Sequence, residues 1–204
     1  MKRRIRLLAA ALATAGLAAG LTTSATGTAF ADVTPPSGTW SEIFNPYLHA
    51  QGITLCADDP GGSTRIGQLM QLWRCHGYAS NGAPQRWVFL PFVNGNDIPI
   101  RDPSTGDILY QILNLAANEC LTAGGPAPGQ QMALTVCDTA EVWDLRSDNA
   151  VSQNGFDFQI ALGGQVVGSD STCVSASNFT DNNGTRLVTE PCSQYDTSQI
   201  WNLG

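Results

Sequence analysis

The amino-acid sequence predicts an all-β protein, built as a closed barrel of three repeats. Three observations predict it. Six cysteines fall in three pairs separated by 19, 17 and 19 residues. A tryptophan follows each pair in a similar frame, in "PQRWVFL", "AEVWDL" and "SQIWNL". Short apolar runs alternate with period two and are punctuated by 21 glycines and 11 prolines, whereas three-and-four helical periodicity is weak.

The first segment reads as a secretory signal peptide over residues 1–31. "MKRRIR" is a basic head, "LLAAALATAGLAAGL" an apolar run, and "AFA" precedes Asp32, with cleavage expected after Ala31. The run is short and Gly/Ala-rich, and no second long apolar stretch follows, so a membrane anchor is the weaker reading. Export by the Sec or the twin-arginine route stays open. Residues 32–39 are expected to be an N-terminal linker, and 40–204 a single domain with repeats over about 40–92, 93–147 and 148–204.

Without the leader the chain keeps six arginines, no lysine and all 17 acidic residues, a net charge near −11. Such a surface repels nucleic-acid phosphates and anionic lipid, so neither nucleic acid nor membrane insertion is expected. Uncharged glycans are unaffected by this argument. The expected location is outside the cell.

Six cysteines in a secreted chain suggest disulfides and allow fifteen connectivities. The three near-equal loops favour Cys56–Cys75, Cys120–Cys137 and Cys173–Cys192, each stabilising by about 3 kcal/mol in the loop-entropy picture. Metal binding would need close C-x-x-C spacing or histidine partners, and the sequence has neither, so no metal or cofactor is expected.

Each repeat has the same order. An apolar run ends at the first cysteine ("YLHAQGITLC", "YQILNLAANEC", "GGQVVGSDSTC"). A turn-rich segment and a second β-like run ("MQLWRC", "MALTVC", "RLVTEPC") lead to the second cysteine. Gln-x-Trp then occurs as Gln85-Arg86-Trp87 and Gln199-Ile200-Trp201, and in degenerate form as Glu141-Val142-Trp143. The three tryptophans are expected in a shared core. Gln85 and Gln199 are expected to share a strand face with their tryptophans and to hydrogen-bond a neighbour. Residues 91–107, "PFVNGNDIPIRDPSTGD", widen the first interval and read as a longer surface connection; "DPSTGD" reads as a turn rather than a calcium loop.

Three cysteine-paired repeats closing on Gln-x-Trp resemble the ricin-type β-trefoil lectins and carbohydrate-binding modules, over about residues 40–204. The resemblance implies a β-trefoil with pseudo-threefold symmetry, in which each repeat can carry a sugar pocket. The pocket pattern is Cys-x-Asp, then Gln-x-Trp/Tyr-x-Cys, then Asn-Gln-x-Trp. The first repeat supplies Asp58, Gln71, Trp73 and Gln85, with Pro84 in place of the asparagine. The second has Thr122, Ala133 and Thr135 at the aspartate, glutamine and aromatic positions; the third has Ser175, Val188 and Glu190. By this transfer only the first repeat binds.

Those residue types suit a sugar. An exposed indole at Trp73 would cover the apolar face of a pyranose. A carboxylate at Asp58 would accept from vicinal hydroxyls. Gln71 shares a strand face with Trp73 and can both donate and accept. Gln85 would hold Asp58 or the sugar from the closing strand. Structural alternatives exist for each: Asp58 as a turn residue, Trp73 as a core aromatic, Gln85 as a buried link. Met70 and Leu72, which alternate with Trp73, are the better core candidates. A single shallow pocket would bind near the millimolar scale, about −4 kcal/mol, and multivalent display would raise that.

Catalysis is not expected. His49 and His76 are the two histidines, and neither accompanies a nucleophile motif. The adjacent pair Asp58–Asp59 would point to opposite strand faces. The competing readings are a protein-binding trefoil such as a secreted protease inhibitor, with Arg101 in the 91–107 loop as its contact, and a targeting subunit of a secreted toxin or hydrolase. Either would require a secreted protein partner.

Overall fold

The computed structural model describes residues 39–77, 80–125, 127–147, 157–165, 171–179 and 182–204, together with Pro35. The expected signal peptide over 1–31 and most of the expected linker over 32–39 lie outside the described residues.

Twelve strands are described, four from each repeat. The first repeat gives Ile43–Phe44 (β1), Leu55–Asp58 (β2), Gln71–Arg74 (β3) and Trp87–Pro91 (β4). The second gives Leu109–Asn114 (β5), Glu119–Thr122 (β6), Ala133–Thr135 (β7) and Trp143–Ser147 (β8). The third gives Phe158–Leu162 (β9), Thr172–Ala176 (β10), Thr185–Pro191 (β11) and Asn202–Leu203 (β12). Among the described residues no helix is long and apolar enough to cross a membrane.

The first and fourth strands of each repeat close a six-stranded antiparallel barrel. β4 pairs with β5, β5 with β8 and β8 with β9. The Phe158–Trp201 bridge carries the ring toward β12, β12 pairs with β1, and the Ser41–Trp87 bridge returns to β4. Closure removes the unpaired edges that an open sheet would present.

The second and third strands form three hairpins, β2–β3, β6–β7 and β10–β11, across one end of this barrel. A ring of three backbone hydrogen bonds joins them: Met70 N–H to Met132 O (2.9 Å), Met132 N–H to Leu187 O (2.8 Å) and Leu187 N–H to Met70 O (3.2 Å). Each residue directly precedes the position equivalent to Gln71, so the sequence repeat and the spatial threefold coincide.

Trp87, Trp143 and Trp201 are at most 1 % exposed. Their indole N–H groups donate to Ala57 O (3.0 Å), Leu121 O (3.2 Å) and Val174 O (3.1 Å), the residue after the first cysteine in every repeat. Each ring thus anchors its own hairpin to the barrel while its apolar body fills the centre. The space left there, lined by Ile43, Ala57, Leu121, Ile160, Val174 and Leu187 among others, is about 10 Å³. The core is close-packed, as stable interiors are.

The disulfides are Cys56–Cys75, Cys120–Cys137 and Cys173–Cys192, with Cα separations of 5.0, 4.8 and 4.9 Å, and no cysteine is free. Each joins the two strands of one hairpin.

One expectation needs correction. Gln85 and Gln199 do not lie on strands: they end short 3-10 turns, Ser80–Gln85 and Thr197–Gln199, because the chain must turn from hairpin to barrel strand there. Residues 91–107 form a surface connection, as expected, but an ordered one. The Val93–Pro99 and Arg101–Ile108 bridges extend the β4–β5 ribbon. Asp102 accepts from the Ser104 N–H and hydroxyl and from the Gly164 N–H, which pins the turn to the third repeat.

Candidate functional site

The β2–β3 hairpin sorts its side chains by alternation. Leu55, Ala57 and Leu72 face the core and are at most 4 % exposed. Cys56 is the cross-strand partner of Trp73, and Asp58 of Gln71, so these four residues share the outer face. Trp73 is 37 % exposed, an unusual position for an indole in a chain that buries three others almost completely. The Cys56–Cys75 bond braces the strand on which it sits.

Asp58 and Gln71 form a pair. Gln71 Nε2 donates to Asp58 Oδ2 at 2.9 Å. Asp58 is almost buried, whereas Gln71 is half-buried and lies near Gly184 of the third repeat. The bond fixes the amide orientation of Gln71 beside the exposed ring.

Gln85 does not meet Asp58. It is fully buried; its Oε1 accepts from the His76 N–H (2.7 Å) and its Nε2 donates to Arg74 O (3.0 Å). It therefore holds the chain on both sides of Cys75 and acts on Trp73 from behind. Gln199 makes the same two bonds in the third repeat, from Ser193 N–H and to Pro191 O, both 2.9 Å. Pro84 serves through its carbonyl, which accepts from Asp59 N–H (3.0 Å) and Asn114 Nδ2 (2.9 Å). Gly62, at φ +63°, is required in the turn after β2: a side chain there would be strained and would press on the Pro84 ring at 3.3 Å.

The corresponding faces of the other repeats are built differently. In the second, Thr122 is opposite Ala133 and Cys120 opposite Thr135, so no aromatic is present. Glu141 turns back, and its carboxylate accepts from the Thr122 hydroxyl and from the Ala123 and Gly125 N–H groups, both 3.1 Å. In the third, Ser175 is opposite Val188 and Cys173 opposite Glu190, which therefore stands where Trp73 stands in the first. Ser175 Oγ donates to Glu190 Oε2 at 3.0 Å and bonds Ser198 Oγ at 2.8 Å. Both sites satisfy their polar groups internally. The sequence already shows both glutamates in these positions; the hydrogen bonds that occupy their carboxylates are visible only once the hairpins are paired in space.

Asp59 was not among the sequence candidates. It is fully buried behind Asp58, and neither of its carboxyl oxygens receives a hydrogen bond of good geometry. Burial, then Asp58, then Glu119 push its carboxyl up to about 7, while the loosely placed Ser63 N–H lowers it slightly. A second concavity, about 580 Å³, lies beside the hairpin between residues 52–55, Arg74, Cys75 and the 182–183 turn, where Asn183 accepts from the Arg74 N–H. Asp58, Gln71 and Trp73 do not line it. Among the described residues, Glu42 lies close to the sulfurs of Cys56 and Cys75, but those sulfurs are joined to each other and offer no thiolate to a metal.

Solved structures share this architecture. A designed threefold-symmetric protein, ThreeFoil, superposes with a TM-score of 0.58 at 12 % identity, covering 80 % of this chain and 96 % of the other. The fold is the β-trefoil. A Macrolepiota procera ricin B-like lectin in complex with lactose gives 0.57 at 16 % identity over 83 % of this chain and 97 % of that one. The Rhizoctonia solani agglutinin gives 0.58 at 16 % identity over 85 % and 98 %. No protein-family model matches the sequence, and no curated protein matches it.

Proposed function

We propose that the protein is a secreted, non-catalytic carbohydrate-binding trefoil with one sugar pocket, formed in the first repeat by Trp73, Asp58 and Gln71, with Gln85 bracing it from behind. A galactose- or xylose-type pyranose is the expected ligand. The observation that carries the reading is the placement of an exposed indole on the same hairpin face as a hydrogen-bonded Asp58–Gln71 pair. A flat apolar surface beside a charged acceptor and an amide matches a sugar ring with its hydroxyl rim. The equivalent faces of the second and third repeats have no aromatic and tie up their carboxylates, which supports a single site. The lactose-bound lectin among the similar folds lends support. Secretion follows from the expected leader, and three disulfides suit an oxidising location.

The test is retention on immobilised galactose- and xylose-containing polysaccharide by the wild type and by Trp73→Ala. Retention lost in the variant supports the proposal; a wild type that binds none of these glycans counts against it.

The protein-binding reading draws on the order of the 92–108 ribbon, whose exposed Val93 and Ile98 would present a rigid surface. Its expected contact residue fits less well, since Arg101 donates to Gly106 O and holds its own turn. Inhibition of a trypsin-like protease, lost in Arg101→Ala, would favour it.

A further inference from the structure

We propose that Asp59 makes the first-repeat pocket pH-responsive: the wall behind Asp58 is closed while the Asp59 carboxyl is protonated and opens when it ionises. The inference concerns regulation of the proposed sugar site and rests on that reading for its binding readout, but it stands on different atoms.

The first observation is positional. Asp58 and Asp59 are consecutive, so one points outward to Gln71 and the other inward. Asp59 has no exposed surface, and both carboxyl oxygens are buried without a well-formed hydrogen bond. Glu119, at the start of β6, is 7 % exposed and likewise has a buried, unpartnered Oε2. Two carboxyls are thus buried near each other with little to solvate them, an arrangement that favours the neutral form of at least one.

The second observation comes from the repeat itself. The residues equivalent to Asp59 are Ala123 and Ala176, 2 % and 1 % exposed. The fold accepts a small apolar side chain at this place twice over, so the carboxyl is not a structural requirement.

The third is what Asp59 is attached to. Its N–H donates to Pro84 O (3.0 Å) and its carbonyl accepts from the Gly62 N–H (2.9 Å). Pro84 is followed by Gln85, which holds Arg74 and His76 on either side of the Trp73 strand end. An anion formed at Asp59 has to reach water, and the direct route is to release these two backbone bonds. That would displace Asp58 and the support behind Trp73 together.

The charges that bear on Asp59 are Asp58 on its own strand and Glu119 from β6. The turn contributes the Ser63 N–H, and the segments carrying Pro84 and Asn114 present uncharged groups. Arg86, next in line, places its guanidinium over the Trp40 ring, 4.3 Å from the centroid. The raised titration of Asp59 toward neutrality agrees with this geometry.

The sign follows from linkage. Between about pH 4 and about pH 7 the folded carboxyl holds a proton that the unfolded chain has lost, so stability falls as pH rises through that window and levels off above it. Sugar affinity falls with the closed fraction of the wall, so binding at pH 8 should be weaker than at pH 5.5 by about threefold or more.

The experiment uses the full mature chain, its Asp59→Ala and Asp59→Asn variants, and Glu119→Gln. Urea unfolding and amide exchange at Asp59 and Gly62 are followed from pH 5 to pH 8.5, with affinity for lactose and a xylo-oligosaccharide measured alongside. The expected result is a loss of wild-type stability and faster exchange at Gly62 as pH rises. Both position-59 variants flatten these changes, and Glu119→Gln moves them to lower pH, because it removes one of the negative charges that keep the Asp59 carboxyl protonated; a move to higher pH would overturn the coupling between the two carboxyls. An Asp59→Ala protein with the wild-type pH slope and wild-type exchange overturns the proposal. If the slope depends on Asp59 but neither sugar binds at any pH, the sugar reading fails while the titration stands.

Discussion

Gln71 Nε2 and Asp58 Oδ2 are hydrogen-bonded across the β2–β3 pair at 2.9 Å, on the face that also exposes Trp73. Replacing Gln71 by alanine leaves the backbone pairing intact and removes one bond to a charged acceptor. The expected loss of glycan affinity is about tenfold, about 1.4 kcal/mol. Isothermal titration against the best-retained oligosaccharide measures it, with circular dichroism to show that the fold is kept. An unchanged affinity would mean that Gln71 only orders Asp58.

Gln85 and Gln199 do the same work in two repeats: each binds one N–H and one carbonyl on either side of the second cysteine. Gln85→Ala and Gln199→Ala should each destabilise the protein by about 1–3 kcal/mol, because buried backbone groups are left unpaired. Urea unfolding measures this. Gln85→Ala should also weaken glycan binding, whereas Gln199→Ala should not, since Glu190 stands on the third hairpin where Trp73 stands on the first.

Much of the fold was legible in the sequence because it is said three times. Cysteine spacing and the closing tryptophans recur in phase, and a feature repeated in one chain has to occupy equivalent places in a symmetric core. Trp73 stood out by simple alternation against Met70 and Leu72, both fully buried. The partners of Gln85 were not legible. They depend on how a 3-10 turn approaches Cys75 from nine to eleven residues away. Asp59 and Glu119, sixty positions apart, meet only through packing of β6 behind the first hairpin. Glu141 looked like a weakened copy of glutamine, yet its charge redirects it to three donors in its own repeat.

Each disulfide closes a loop of similar length, with sequence separations of 19, 17 and 19. Removing any one as a double alanine variant should destabilise by about 3 kcal/mol. Loss of Cys56–Cys75 should in addition reduce glycan affinity, because it frees the strand end that carries Trp73. Denaturant midpoints and affinities for the three double variants, measured together, separate the two effects.

Asp102 provides a pH test in the opposite sense to Asp59. Burial would raise its carboxyl, but bonds from the Ser104 hydroxyl and N–H and from Gly164 N–H outweigh it, and it is held below the usual carboxylate value. Its contribution to stability is full above the unfolded value near 4 and is lost as pH falls through the lower folded value. Asp102→Asn should therefore lower stability at neutral pH and narrow the gap to wild type in acid. Thermal melts from pH 7 to pH 2.5 read this directly.

The most direct measurement of the central claim is a backbone and side-chain NMR titration with lactose and with a xylo-oligosaccharide. The predicted result is a saturable shift of the Trp73 indole, accompanied by the Gln71 side-chain amide and the backbone of Asp58, with the Thr122 and Ser175 hairpins unmoved. Shifts centred on the second or third repeat, or none at Trp73 while the sugar binds elsewhere, would contradict it.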